Sequence, residues 1–215
     1  MTVVKICGIT NLEDALVAVD AGADALGFNF YKRSPRYITP PHAREIIQQL
    51  PDSMLKVGVF VNEATPEIVR NIAEEAGLTA LQLHGDESPD YSHELAARHD
   101  VIKVFAVAHD FDINVIHRYD VTGIMLDTKH NTLRGGTGVT FDWSIAQEAS
   151  KTVSKLYLAG GLSPKNVADA VERVRPFAVD ACSGLEIEPG KKDHKRVREF
   201  VHAVRNVIDL RSVKP

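Results

Sequence analysis

A short apolar strand followed by a helix start recurs along this chain, and that alternation restricts the fold more than any other feature. About eight units of roughly 27 residues account for nearly all of the 215 residues, the repeat of a (β/α)8 barrel with parallel strands. The first strand is the β-branched run Val3-Val4-Lys5-Ile6-Cys7. Asn11 caps the helix that follows, Asp14 sits in its first turn and Gly22 ends it. Thr39-Pro40, Thr65-Pro66, Ser88-Pro89 and Ser163-Pro164 each join a capping oxygen to a proline that a first helical turn tolerates. Further strands are predicted over 25–30, 55–61, 81–84, 101–107, 124–127, 156–159 and 177–180, with a weaker helix over 112–119 and a last one over 193–210. No linker or change of composition divides the chain, so we expect one α/β domain over 1–215. An open doubly wound sheet is built of the same units, and local pattern does not separate the two. The count favours the barrel.

Composition excludes several roles. The chain is 44% hydrophobic, enough for a large core, and its net charge of -4 with scattered basic residues argues against a nucleic-acid binder. The short basic run at 191–198 is expected to decorate the exposed face of the last helix. The start of the chain lacks the pattern of a secretory leader, and no apolar run approaches a membrane span. Two cysteines, Cys7 and Cys182, are too few for a disulfide framework and fit a reducing cytoplasm.

In a barrel the strand ends converge on one rim, where such folds place their chemistry. Here those ends carry Cys7, Asn29, His84, Asp127, Gly160-Gly161 and Asp180. Asp127 stands at the root of a long loop that contains Gly135-Gly136-Thr137-Gly138. Connections of that length more often cover or bind something than merely turn the chain. Gly160-Gly161 after the seventh strand and Ser183-Gly184 after the eighth can present backbone N–H groups to an oxyanion, as barrels frequently do for phosphate. The loop after the eighth strand has room for a short extra helix.

Each rim residue also has a plain structural reading. Cys7 faces the rim if it shares a face with Lys5, and it is then either a reactive thiol or a buried small hydrophobe. A Cys7–Cys182 disulfide is conceivable, because the first and eighth strands of a closed barrel are neighbours; a reducing compartment speaks against it. Asp127 acts as an acid only if its surroundings keep it protonated; otherwise loop N–H groups or an arginine satisfy it. Asp180 is ambiguous in the same way, and His84 is often merely hydrogen-bonded. Arg36 suits a substrate carboxylate, or is a solvated loop charge. There is no metal-ligand spacing and no dinucleotide fingerprint, so the residues alone point to cofactor-free chemistry on a small phosphorylated compound.

Taken in order, the motifs resemble the phosphoribosylanthranilate isomerase family. They are Lys5-Ile6-Cys7-Gly8-Ile9-Thr10, Gly27-Phe28 with Ser34-Pro35-Arg36-Tyr37, Gly58-Val59-Phe60-Val61-Asn62, Gln82-Leu83-His84-Gly85, Leu126-Asp127 with the glycine loop and Phe141-Asp142-Trp143, Leu158-Ala159-Gly160-Gly161-Leu162-Ser163, and Asp180 with Ser183-Gly184 and Glu186. The resemblance implies an Amadori rearrangement in tryptophan biosynthesis, without a cofactor or metal. It further implies Asp127 as general acid and Cys7 as general base, with the Asp127 pKa raised and that of Cys7 lowered. Arg36 would hold the anthranilate carboxylate, and Gly160, Gly161, Ser183 and Gly184 the phosphate. The loop at Gly136 would close over the site, with His84 and Asp180 beside the substrate. Ala181, Cys182 and Leu185 depart from the family's usual valine, serine and valine, and Asn29 from an apolar residue. Related phosphosugar barrels, an isomerase of histidine biosynthesis or a pentulose-phosphate epimerase, would show paired catalytic aspartates or a metal-ligand set instead. A barrel that only senses a phosphometabolite would bind without turnover. A monomer and a homodimer are both compatible with the sequence.

Overall fold

The computed structural model describes residues 1–108, 110–128 and 142–212. Among the described residues, eight parallel strands form a closed barrel: β1 (Val3–Cys7), β2 (Ala25–Asn29), β3 (Leu55–Phe60), β4 (Ala80–Leu83), β5 (Asp100–Val107), β6 (Gly123–Thr128), β7 (Leu156–Leu158) and β8 (Ala178–Ala181). Closure is made by β1 against β8, with Lys5 opposite Asp180 and Ile6 opposite Ala181. The helices are α1 (Leu12–Asp20), α2 (Pro40–Ile47), α3 (Pro66–Ala76), α4 (Pro89–Ala96), α5 (Trp143–Ala149), α6 (Val167–Val174) and α7 (His194–Ser212).

The strand period of two separates two cores. Val4, Ile6, Leu26, Phe28 and Leu81 face outward and pack with the helices. Ala25, Val57, Ala80, Ile102, Val104, Met125, Tyr157 and Ala178 fill the barrel. Capping follows the sequence for four helices: the side chains of Asn11, Thr39, Thr65 and Ser88 accept from the backbone N–H three residues on. Gly77 ends α3 in the left-handed region.

Four expectations need correction. The segment predicted as a helix over 112–119 is a 3-10 turn, Ile113–Arg118, in which only Ile116 is buried. Its β-branched and short polar residues have little helix propensity, and one buried side chain does not offset that. Ser163-Pro164 does not cap a helix. Asn166 Oδ1 accepts from Ser163 N at 2.8 Å, making a separate turn, and α6 starts only at Val167. After β8 the extra helix is a 3-10 turn, Ser183–Leu185, followed by an unexpected hairpin of β9 (Glu186–Glu188) and β10 (Lys191–Lys192). That hairpin overturns the fourth expectation: Lys192 is not part of a solvated charge run but is buried, 2.9 Å from Glu186.

A second buried cation organises the rim at β3, β4 and β5. Lys103 Nζ lies 2.7 Å from Glu87 Oε2 and donates to Gly85 O at 2.8 Å. Glu87 Oε1 in turn accepts from Asn62 N at 2.8 Å, where Asn62 takes the unusual φ of 54°. One carboxylate thus ties together the turns that follow β3 and β4. Removing Lys103 leaves that carboxylate buried without its cation. Lys103→Met should therefore lower the unfolding free energy by about 3–5 kcal/mol in urea titrations. Adding Glu87→Gln, which keeps an acceptor for Asn62 and Gly85 but removes the charge, should regain a large part of the loss.

Candidate active site

The carboxyl ends of the strands surround one cavity. Cys7, Arg36, His84, Asp127, Gly160, Gly161, Asp180 and Ser183 all line it, although the sequence spreads them over nearly the whole chain. Gly184 lies just behind the wall. A Cβ on Gly184 would collide with the Leu162 carbonyl oxygen, so the turns after β7 and β8 touch backbone to backbone there. Gly136 and the rest of the glycine motif lie outside the described residues.

On one side of the cavity stand Cys7 and its cations. Lys5 is fully buried, and its Nζ donates to Asp180 Oδ1 at 2.8 Å across the β1–β8 seam. Burial opposes the Lys5 charge, but Asp180 and Cys7 outweigh it and push its pKa up. Burial, against the pull of Lys5 and with help from Cys7 and Asp127, raises Asp180 to about 6. The Cys182 sulfur neighbours Cys7 and stands 3.7 Å from Glu186 Oε1. Its hydrogen bonding to Cys7, together with Lys5 and Lys192, prevails over burial and lowers the Cys7 pKa well below the ordinary thiol value. Cys182, the partner in that pair and half-buried, is shifted upward. Both cysteines are free thiols, so the disulfide the seam makes conceivable is not formed.

Glu186 holds this side together from below. Arg36 grips it through Nε to Oε1 at 2.8 Å and Nη2 to Oε2 at 2.6 Å, and Lys192 Nζ sits 2.9 Å from Oε1 as well. Although burial opposes its charge, those two cations keep the Glu186 carboxyl below its usual range. One edge of the Arg36 fork is therefore fixed in place, while a guanidinium carries further donors for a ligand.

Asp127 faces this cluster from β6. Its Oδ1 accepts from Thr128 N at 2.7 Å, and its Oδ2 lies 3.4 Å from His84 Nε2. His84 Nδ1 is 3.0 Å from the Gln82 amide nitrogen. That nitrogen can only donate, so a neutral His84 carries its proton on Nε2, toward Asp127. Gly160, at φ 85°, lets the next strand's turn settle on Asp127 and Thr128, where a Cβ would collide with the Thr128 backbone nitrogen.

Sequence reasoning missed Lys5, Gln82, Glu186 and Lys192 as parts of the site. Lys5 had a visible signal, a lysine in an otherwise apolar strand two residues before Cys7. Gln82 had the same kind of signal, standing two residues before His84. Lys192 had none, because only the hairpin turns it inward. Among the described residues no group of three His, Cys, Asp or Glu side chains is arranged to hold a metal ion, and no helix is long and apolar enough to cross a membrane.

Comparison with known proteins agrees with this arrangement along the whole barrel. The family model of N-(5'phosphoribosyl)anthranilate (PRA) isomerase matches residues 4–203. The N-(5'-phosphoribosyl)anthranilate isomerase of Trichlorobacter lovleyi is 50% identical over 208 residues, covering 97% of this chain and 100% of that one. The crystal structure of phosphoribosyl anthranilate isomerase from Thermotoga maritima superposes with a TM-score of 0.90 at 47% identity, covering 96% of this chain and 100% of that one. A structure of such an isomerase in complex with reduced 1-(o-carboxyphenylamino)-1-deoxyribulose 5-phosphate gives a TM-score of 0.87 at 45% identity, with the same coverage. On the family match and these identities, the chain belongs to the N-(5'-phosphoribosyl)anthranilate isomerase family.

Proposed function

We propose that this protein is the phosphoribosylanthranilate isomerase of tryptophan biosynthesis, working in the cytoplasm as a monomer or homodimer. It converts N-(5-phosphoribosyl)anthranilate to 1-(2-carboxyphenylamino)-1-deoxyribulose 5-phosphate, with Asp127 as general acid and Cys7 as general base. The observation that carries the assignment is that Cys7, lowered toward thiolate, and Asp127 line the same cavity from the ends of β1 and β6. The reaction needs one group that gives a proton and one that takes one, at a single pH.

Asp127 donates its proton to the furanose ring oxygen. The C1–O bond breaks as the anilino nitrogen supplies its lone pair, leaving an open-chain Schiff base. The Cys7 thiolate then removes the proton from C2, and those electrons give the enolamine. Protonation at C1 and loss of the hydroxyl proton at C2 complete the aminoketone. Atoms and electrons balance without an external oxidant or reductant. His84, with its Nε2 proton toward Asp127, orients the acid.

The substrate's two anionic ends have separate places. Gly160, Gly161, Ser183 and Gly184 take the phosphate between the turns after β7 and β8. Arg36, braced by Glu186, takes the anthranilate carboxylate with its remaining donors. Gln82 lines the cavity, and its Oε1 is buried with no hydrogen-bond partner among the described residues. Asp180 lies next to the ribose and amine.

Turnover is read from the disappearance of anthranilate-derivative fluorescence, with the unstable substrate generated in situ. Cys7→Ser and Asp127→Asn should each lower kcat by on the order of a hundredfold or more. A wild type without turnover would overturn the function, and a nearly normal Cys7→Ser would overturn the base. The Asp180 carboxyl, held at about 6, is charged above that pH and neutral below it. The value of kcat/KM should therefore fall as pH drops through that point, and Asp180→Asn should abolish this inflection.

A further inference from the structure

The chain's two cysteines meet where the barrel closes. Lys5 lies opposite Asp180 and Ile6 opposite Ala181 in the β1–β8 register, so Cys7 and Cys182 come next in line. Each stands two residues beyond a member of the Lys5–Asp180 pair, which meets inside the barrel. Strand alternation turns the Cys7 sulfur to the same face as Lys5, and both cysteines line the cavity. Neighbouring strands are ~4.8 Å apart, within the roughly 4.4–6.8 Å Cα separation that a disulfide spans. Cys182 is also the residue at which the β8 chain turns into the 3-10 segment, with φ -130° and ψ -86°. Being outside the ladder, it can close the remaining gap without moving a strand.

We propose that Cys182 is a resolving cysteine for Cys7, so that a hydroperoxide converts the pair into a disulfide and switches the enzyme off reversibly. The loss of activity rests on the reading of Cys7 as the base; the linkage itself does not.

The first step is attack of the Cys7 thiolate on the peroxide O–O bond. A sulfenic acid forms on Cys7, the second oxygen leaves as hydroxide or alkoxide, and the peroxide gains two electrons. Lys5 and Lys192 favour the thiolate this step needs. The second step is attack of the Cys182 sulfur on the sulfenic sulfur. An S–S bond forms, the S–O bond breaks, and the departing hydroxide takes the Cys182 proton and leaves as water. Lys192 Nζ, 3.8 Å from the Cys182 sulfur, assists by stabilising negative charge there. A dithiol returns two electrons and restores both thiols. Without Cys182 the sulfenic acid would go on to sulfinic acid, which a dithiol does not reverse.

The test compares reduced wild type with Cys182→Ser after exposure to hydrogen peroxide, alkylation of remaining thiols and peptide mapping by mass spectrometry. In wild type we expect a linked Cys7–Cys182 peptide, lighter by two hydrogens than the sum of its parts. Loss of activity should follow the linked fraction, and dithiothreitol should restore the wild type to its starting activity. In Cys182→Ser, Cys7 should accumulate as sulfinic acid, and recovery should be partial. A wild-type map with sulfinic Cys7 and no linked peptide would overturn the proposal. So would recovery of wild type no better than that of the variant. The map reads sulfur chemistry and not turnover: if Cys7 were not the base, the linked peptide would form while activity persisted.

Discussion

Everything at the catalytic rim depends on the ion pair that Lys5 and Asp180 make across the β1–β8 seam. An ammonium and a carboxylate are costly to remove from water unless each satisfies the other, and inside this barrel they stand 2.8 Å apart with Lys5 completely enclosed. The two residues are also direct partners in the register that closes the barrel. Closure and charge compensation are therefore one event. A strand slip of one residue would turn Lys5 away from Asp180 and leave two uncompensated buried charges.

From that pair the electrostatics spread outward in two directions. Lys5 and Lys192 both act on Cys7, and Lys192 is in turn neutralised by Glu186, which Arg36 also holds. Positive charge at the thiol is thus kept in place by a carboxylate that the two cations share. Across the cavity, Asp127 is met by a backbone N–H and a histidine rather than by a lysine or arginine. The two sides differ in the kind of neighbour that Cys7 and Asp127 have.

Much of this was legible in the sequence because it depends on local rules. Proline after a capping hydroxyl, glycine after an apolar run and alternation within β-branched strands are consequences of short-range sterics and hydrogen bonding. They gave the barrel, and strand-end position then picked out Cys7, His84, Asp127 and Asp180. What stayed hidden depends on contacts between distant segments. Lys192 reads as one more lysine in a basic run until the hairpin turns it inward. Arg36 reads as a ligand for an external carboxylate, and nothing in its neighbourhood says that Glu186 occupies one edge. Ser163-Pro164 shows the opposite failure: the local signal was present, but the Asn166 side chain made a turn of its own and moved the helix start.

The hairpin that carries Lys192 has a consequence for the order in which the enzyme comes into being. Cys7 is synthesised well before Cys182, Glu186 and Lys192. While the chain is incomplete, the Cys7 sulfur lacks its hydrogen-bond partner and one of its cations, and it behaves as an ordinary thiol that is mostly protonated at neutral pH. Reactivity is therefore withheld from the nascent chain. The thiol with its lowered pKa appears only when β8 and the hairpin have docked, by which time it is enclosed within the completed barrel.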